Sequence, residues 1–173
     1  DDSLVMHIAK KAGTYTFPKN SRQLISLYRN LYDATDGAVT PLVGDTLAAL
    51  GYDKEYSLQP GQVSAVPKWD DVMSWNGMEV TTTQPVMLDF GAAGKGYLVD
   101  LTADLLERHG IKDYVIDASG DIRQRGTGEQ IIGLENPQDT TRVIGAAKLH
   151  NASLCASATN RRRWGDGLHH VID

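Results

Sequence analysis

The chain has a single cysteine, Cys155, so no disulfide can close within it and no cysteine-based zinc site can be assembled. A lone cysteine among apolar neighbours reads as a small core residue. A basic surplus is lacking too: 17 Lys and Arg against 22 Asp and Glu leave a net charge of −5, which argues against a general nucleic-acid binder. The densest basic run, Arg161-Arg162-Arg163, is too short to line a nucleic-acid groove and reads as a solvated face or a minor anion-steering patch. No stretch reaches the eighteen or so apolar residues of a membrane span, and no basic-then-apolar leader opens the chain. Repeats and low-complexity tracts are absent. What is present, 41% hydrophobic residues in a domain-sized chain, is enough for a core without cross-links.

Local patterning predicts a mixed α and β fold with a β-rich second half. Ser21 reads as an N-cap, and Leu24, Leu27, Tyr28, Leu31 and Tyr32 follow at helical spacing until Asp36-Gly37 stops the pattern. Residues 41–50 predict a second short helix, with Pro41 in its first turn and Gly51 at its C′ position. From 56 to 85 the composition predicts loops around short strands and no domain linker. Val86-Met87-Leu88 predicts a brief buried strand, followed by a glycine-rich turn and a helix whose face is Leu98, Leu101, Leu105 and Leu106, ending at His109-Gly110. Strands are predicted at 114–116, 131–134, 143–149 and 153–158, with a second glycine-rich turn at 118–121. The closing run His169-His170-Val171-Ile172-Asp173 alternates as a strand that ordinarily continues, so the chain reads as a piece of a longer protein.

The stretch Asp89-Phe90-Gly91-Ala92-Ala93-Gly94-Lys95-Gly96-Tyr97-Leu98-Val99-Asp100 carries the chemistry. Bare backbone at its glycines can approach a ligand, and the helix behind it aims free N–H groups and a positive dipole end at the same place. An anion, with phosphate foremost, fits such a turn. It is not a Walker loop, because Gly91 and Gly94 stand too close together and Gly96, not Ser or Thr, follows Lys95. It is not a dinucleotide fingerprint either, since glycines at 91, 94 and 96 do not make G-x-G-x-x-G. The alternative is purely architectural: a tight strand-to-helix connection beside an exposed lysine. Asp89 likewise reads as a nucleotide-binding carboxylate or as a turn former, and Asp121 after Ser119-Gly120 as a turn former. His169 and His170 cannot easily share one metal ion, because neighbours on a strand point to opposite faces.

Five special turns in order give the sequence its character: Thr35 to Val43, Asp89 to Asp100, Ser119-Gly120-Asp121-Ile122, Ala156-Ser157 with Arg161 to Arg163, and His170-Val171-Ile172-Asp173. Together they resemble the FAD:protein FMN transferase family, also called ApbE and once labelled a thiamine-biosynthesis lipoprotein. That family's pattern includes D-L-G-G-x-A-K-G-Y-x-x-D, G-G-D-I, A-T-S-G and H-I-I-D-P. The likeness spans the whole chain in outline, including Asp2-Ser3. It implies an α+β, ApbE-like (T-fold-like) architecture with a β-barrel-like core and outer helices, and a single FAD-binding catalytic domain over residues 1–173. It implies that Asp89 and Lys95 contact FAD and that Ala38, Val39 and Thr40 lie along the flavin. Ile172 matches a further flavin contact, Ala92 offers a backbone carbonyl to Mg2+, and His170 is the histidine near the phosphate chemistry. The implied reaction moves FMN from FAD to a threonine of an acceptor protein through a phosphoester, with magnesium, and releases AMP. A FAD pyrophosphatase and a non-catalytic flavin-binding module are the alternatives.

The same resemblance places a flavin-contacting methionine before residue 1 and acidic and threonine metal ligands after residue 173, and it implies export and a lipid anchor outside this chain. Four positions depart from the family pattern: Ala92 and Ala93 stand for the commoner Gly and Ile, Ser119 for a Gly, and Ala158 for the Gly after Ser157. Where the backbone needs positive φ, Ser and Ala resist what Gly accepts.

Overall fold

The structure is a computed structural model that describes residues 3–159 and 162–172; Asp2, Arg161 and Asp173 of the motifs above lie outside the described residues. The chain divides into two units, Asp1–Ala92 with Arg163–Asp173, and Ala93–Arg162.

In the first unit, Ser3 caps α1 (Leu4–Lys10) by accepting from the Met6 N–H at 3.3 Å. A three-stranded antiparallel sheet follows in the order β1-β3-β2, built from β1 (Gly13–Thr16), β2 (Met73–Asn76) and β3 (Glu79–Thr82). Helix α2 (Ser21–Ala34) is the one predicted, with two local differences. Asn20, not Ser21, occupies the cap position, with helical backbone and no capping side-chain bond. The buried stripe is Ile25 and Tyr28, while Leu27 turns outward. Asp36 and Gly37 end the pattern with φ of 52° and 87°.

Residues 41–50 form a 3-10 turn (Pro41–Val43) leading into α3 (Gly44–Ala49), and the four-residue α4 (Trp69–Val72) precedes β2. Gly51 takes the C′ position of α3 with φ +95°. Its N–H bonds the carbonyl of Ala48, and the Tyr52 N–H bonds that of Leu47, which is the pairing of a Schellman cap. The largest fully buried side chains of this unit among the described residues are Ile8, Tyr28, Pro41, Leu42 and Val80. Each large apolar one stabilises the fold by roughly 1.5–3 kcal/mol. A two-stranded hairpin of β9 (Arg163–Trp164) and β10 (Leu168–His169) closes the unit.

The strand expected at 86–88 is not one. Val86 and Leu88 are buried as anticipated, but the segment joins no ladder. Its amides bond in turn to three separate elements: Val86 N–H to the Ile8 carbonyl, Met87 N–H to the Asp45 carboxylate and Asp89 N–H to the Pro41 carbonyl. The segment is extended because it threads between elements, and apolar composition alone cannot distinguish that from sheet pairing.

In the second unit, α5 (Gly94–Arg108) lies against a sheet of order β4-β5-β8, made of β4 (Tyr114–Asp117), β5 (Asp121–Arg125) and β8 (Ser153–Cys155). A long hairpin of β6 (Gln130–Asn136) and β7 (Asp139–Leu149) completes it, with register shifts around Leu134 to Asn136. The leucine face expected for α5 is corrected: Leu98 and Leu105 are exposed, and the buried stripe is Val99 and Ala103, four residues apart. Among the described residues the strands form four separate sheets, none of which closes into a barrel, and no helix is long and apolar enough to cross a membrane.

A polar knot fastens the ends of this sheet. The Gln124 side chain is 3% exposed, yet its Nε2 donates to the Gly128 carbonyl at 2.7 Å and its Oε1 accepts from the Asn151 N–H at 2.6 Å. The Gly126 N–H donates to Asn151 Oδ1, and Asp113 Oδ1 accepts from both the N–H and the hydroxyl of Thr127. The Thr127 bonds hold the Asp113 carboxyl below the usual aspartate range. The folded state thus favours the charged form. Its stabilising contribution is complete above the ordinary aspartate range and is lost as pH falls through the lower folded value. Asp113→Asn is expected to flatten the acid limb of a melting-temperature profile; an acid limb identical to the parent's would refute the role given to this carboxylate.

Candidate functional site

Within the first unit, the 35–43 turn is organised by Thr35. Its hydroxyl donates to the Leu31 carbonyl at 2.7 Å and accepts from the Val39 N–H at 3.0 Å, and its carbonyl accepts from the Ala38 N–H. Thr40 then accepts from the Leu42 N–H at 3.2 Å and so starts the 3-10 turn. Of the predicted flavin-side residues Ala38 is exposed, and Val39 and Thr40 are half-buried. An open groove of about 440 Å³ borders the turn at Tyr32, Asp33, Asp36, Gly37 and Lys68.

Asp89 sits where the threaded 86–89 segment ends, held through its N–H by the Pro41 carbonyl at 2.8 Å. Its Oδ1 accepts from the Gly91 N–H at 2.7 Å, so the turn-forming reading of this aspartate holds. A Cβ on Gly91 would lie 2.9 Å from that oxygen, so a larger residue there would require the Asp89 carboxylate to shift. Behind the segment, Asp45 Oδ2 takes the Met87 N–H, and a Cβ on Gly44 would come within 2.5 Å of the Met87 carbonyl. The first unit thereby presents the Pro41 and Asp89 turns side by side.

His170 belongs to an aromatic cluster in the same unit. Trp164 is buried and donates its indole N–H to the Leu50 carbonyl, at 2.8 Å, across the C-terminus of α3. Tyr52, set by the Schellman cap, stacks on Trp164 with centroids 5.8 Å apart and planes 16° apart. His170 lies against the same tyrosine ring at 6.2 Å and 32°. Tyr56 meets Tyr52 edge-on. Ile172 is half-buried two residues further along.

In the second unit, Lys95 stands in the first turn of α5. Its Nζ donates to the carbonyls of Ala118 and Ser119, both at 3.4 Å, and pairs with Asp121 Oδ2 at 3.5 Å. Three acceptors meet the three ammonium protons, and half the side chain remains exposed. The 118–121 turn has Ser119 at φ 56° and Gly120 at φ 99°, so Ser119 does adopt the left-handed backbone that its family counterpart, glycine, takes without strain. Cys155 lies opposite Asp121 in the sheet and is exposed, which corrects the core-residue reading of the lone cysteine; its thiol is pushed up, first by partial desolvation and then by the Asp121 charge. Asp100 pairs with Arg123 at 2.6 Å and ties α5 to β5.

The metal expectation does not fit these residues alone. Magnesium takes about six oxygen ligands in near-octahedral geometry. Ala92 offers one carbonyl, and among the described residues no group of three or more His, Cys, Asp or Glu is placed to hold an ion.

Three residues of the cluster and turns were not anticipated from sequence: Tyr52, Trp164 and Asp45. The signal for Tyr52 was the Gly51 C′ position, since the next residue of a Schellman cap ordinarily makes an apolar contact. Nothing in the sequence links it to Trp164.

Likeness to known proteins agrees with this architecture. The FAD:protein FMN transferase of Klebsiella pneumoniae (strain 342) is 34% identical over 95 residues, 52% of this chain and 29% of that protein. The one of Escherichia coli (strain K12) is 26% identical over 160 residues, 80% of this chain and 45% of that protein. The chain spans about half the length of the curated relatives it matches. The crystal structure of the ApbE protein from Thermotoga maritima superposes with a TM-score of 0.82 at 22% identity, over 100% of this chain and 61% of that one, and so shares the fold. The ApbE family model matches residues 1–173, and the chain belongs to the ApbE family.

Proposed function

We propose that this chain is the FAD-handling part of a flavin transferase that moves FMN from FAD onto a threonine of an acceptor protein. The observation that carries the reading is the family match over every residue, joined to curated relatives that bear the name FAD:protein FMN transferase.

In the proposed step the threonine hydroxyl attacks the phosphorus on the FMN side of the FAD pyrophosphate. A new P–O bond forms to threonine, the bond to the bridging oxygen breaks, and AMP departs with that oxygen. The threonine proton goes to His170, a residue type whose ordinary titration near neutrality suits a general base. Lys95 lends a cation to the pyrophosphate, exchanging a carbonyl contact for a phosphate oxygen. Ala38, Val39, Thr40 and Ile172 line the flavin, and Asp89 shapes the turn that receives the nucleotide.

Product analysis separates this from its alternatives. Incubated with FAD and an acceptor protein, the chain is expected to release AMP in step with covalent labelling of the acceptor. Free FMN and AMP without labelling would indicate a pyrophosphatase, and FAD recovered intact would indicate a binding module; either result overturns the transferase reading.

A further inference from the structure

We infer that Tyr52 is a positioning residue for His170, held in place by Trp164 and the C-terminal cap of α3. The inference rests on the proposed role of His170 and deepens it. His170 follows directly on the two-residue strand β10, which by itself is too short to fix a side chain. The hairpin that carries it is anchored elsewhere, by the Trp164 indole bonded to the Leu50 carbonyl. Leu50 is the cap residue of α3, and the neighbouring carbonyls are also claimed: Ala49 by the Gly61 N–H at 2.7 Å and Gly51 by the Leu58 N–H at 2.9 Å. Tyr52 leaves that fastened corner with its own N–H bonded to Leu47.

One face of the arrangement is therefore a rigid backbone corner, and the tyrosine ring transmits its position. The near-parallel stack on Trp164 fixes the ring plane, and the imidazole lies tilted against the same ring. A base must sit within hydrogen-bond reach of the proton it takes, and small misplacements cost rate far more than affinity. Tyr52 meets both Trp164 and His170 through its ring.

The test compares Tyr52→Phe and Tyr52→Leu in the full chain, read by imidazole proton NMR and by steady-state FMN transfer. A ring packed beside His170 gives its imidazole protons a ring-current shift, upfield over the ring face and downfield at its edge. Phe is expected to keep both that shift and transfer. Leu is expected to lose the shift and to lower kcat about 10- to 100-fold while KM for FAD stays unchanged. An imidazole shift unaltered in Tyr52→Leu overturns the contact whatever the chemistry does. Full kcat in Tyr52→Leu, measured beside an inactive His170→Ala, overturns positioning while leaving His170 as the base. Full transfer by His170→Ala removes the base assignment and with it the positioning role. If Leu impairs folding by circular dichroism, Tyr52→Trp serves instead: it retains a ring, and loss of kcat with the shift preserved would contradict the inference.

Discussion

Replacing Gly51 by alanine is expected to destabilise the protein by roughly 3 kcal/mol, through backbone strain of about 1–3 kcal/mol together with steric overlap. Two effects act in the same direction. The backbone there has φ +95°, which an L side chain rarely adopts. A Cβ would also lie 2.5 Å from the Gln59 amide nitrogen and 2.8 Å from the Leu58 carbonyl carbon, both of them backbone atoms that cannot rotate away. For a chain of this size the change corresponds to a melting temperature lower by about 6–12 °C. The site suffers as well, because Tyr52 is the next residue and loses the cap that sets its ring against Trp164 and His170. Thermal unfolding by circular dichroism checks the first effect. A variant as stable as the parent would mean that the 51–59 corner is not packed as described.

The second large effect concerns chemistry alone. His170→Ala is expected to slow FMN transfer by about 10²- to 10⁴-fold, the usual contribution of a positioned general base. Stability should change little, since the imidazole is half-buried and the neighbouring indole anchor is untouched. FAD affinity should also persist, because proton removal belongs to the transition state rather than to binding. Measuring kcat and KM for FAD separately distinguishes these outcomes. A variant with full kcat would eliminate His170 as the base, and one with unchanged kcat but a raised KM would recast it as a binding residue.

Much of the secondary structure was legible because it is local. Helix α2, the Pro41–Ala49 pair and strands β4, β6 and β7 follow from spacing, caps and turn residues within a few positions of one another, whereas β5 is not among the predicted strands, the strand expected at 153–158 ends at Cys155, and the closing run is strand only at Leu168–His169. The errors share a cause in long-range contacts. Val86-Met87-Leu88 resembles a strand until its amides are seen bonding to Ile8, Asp45 and Pro41. The stripe of α5 resembled a leucine face, but what fixes it is the sheet it packs on, which buries Val99 and Ala103 instead. Helix α1 is not among the predicted elements, although Ser3 followed by Leu4, Val5 and Ile8 carries a cap and a spacing.

The candidate site divides in the same way. Lys95, Asp89 and the 35–43 turn are legible as motifs, because glycine, threonine and aspartate shape backbone near themselves. The ring contacts of His170 are not, since Tyr52 and Trp164 stand far apart in the chain and meet only through the fold. Lys95 is not a bare cation beside a helix but an ammonium held by two carbonyls and Asp121.

The most direct test of the transferase reading is peptide mass spectrometry of an acceptor protein after incubation with this chain, FAD and a magnesium salt. The account predicts one threonine peptide heavier by a single FMN moiety, fluorescent, and absent when that threonine is replaced by alanine. An acceptor recovered unmodified, with FAD either intact or split to free FMN and AMP, would contradict it.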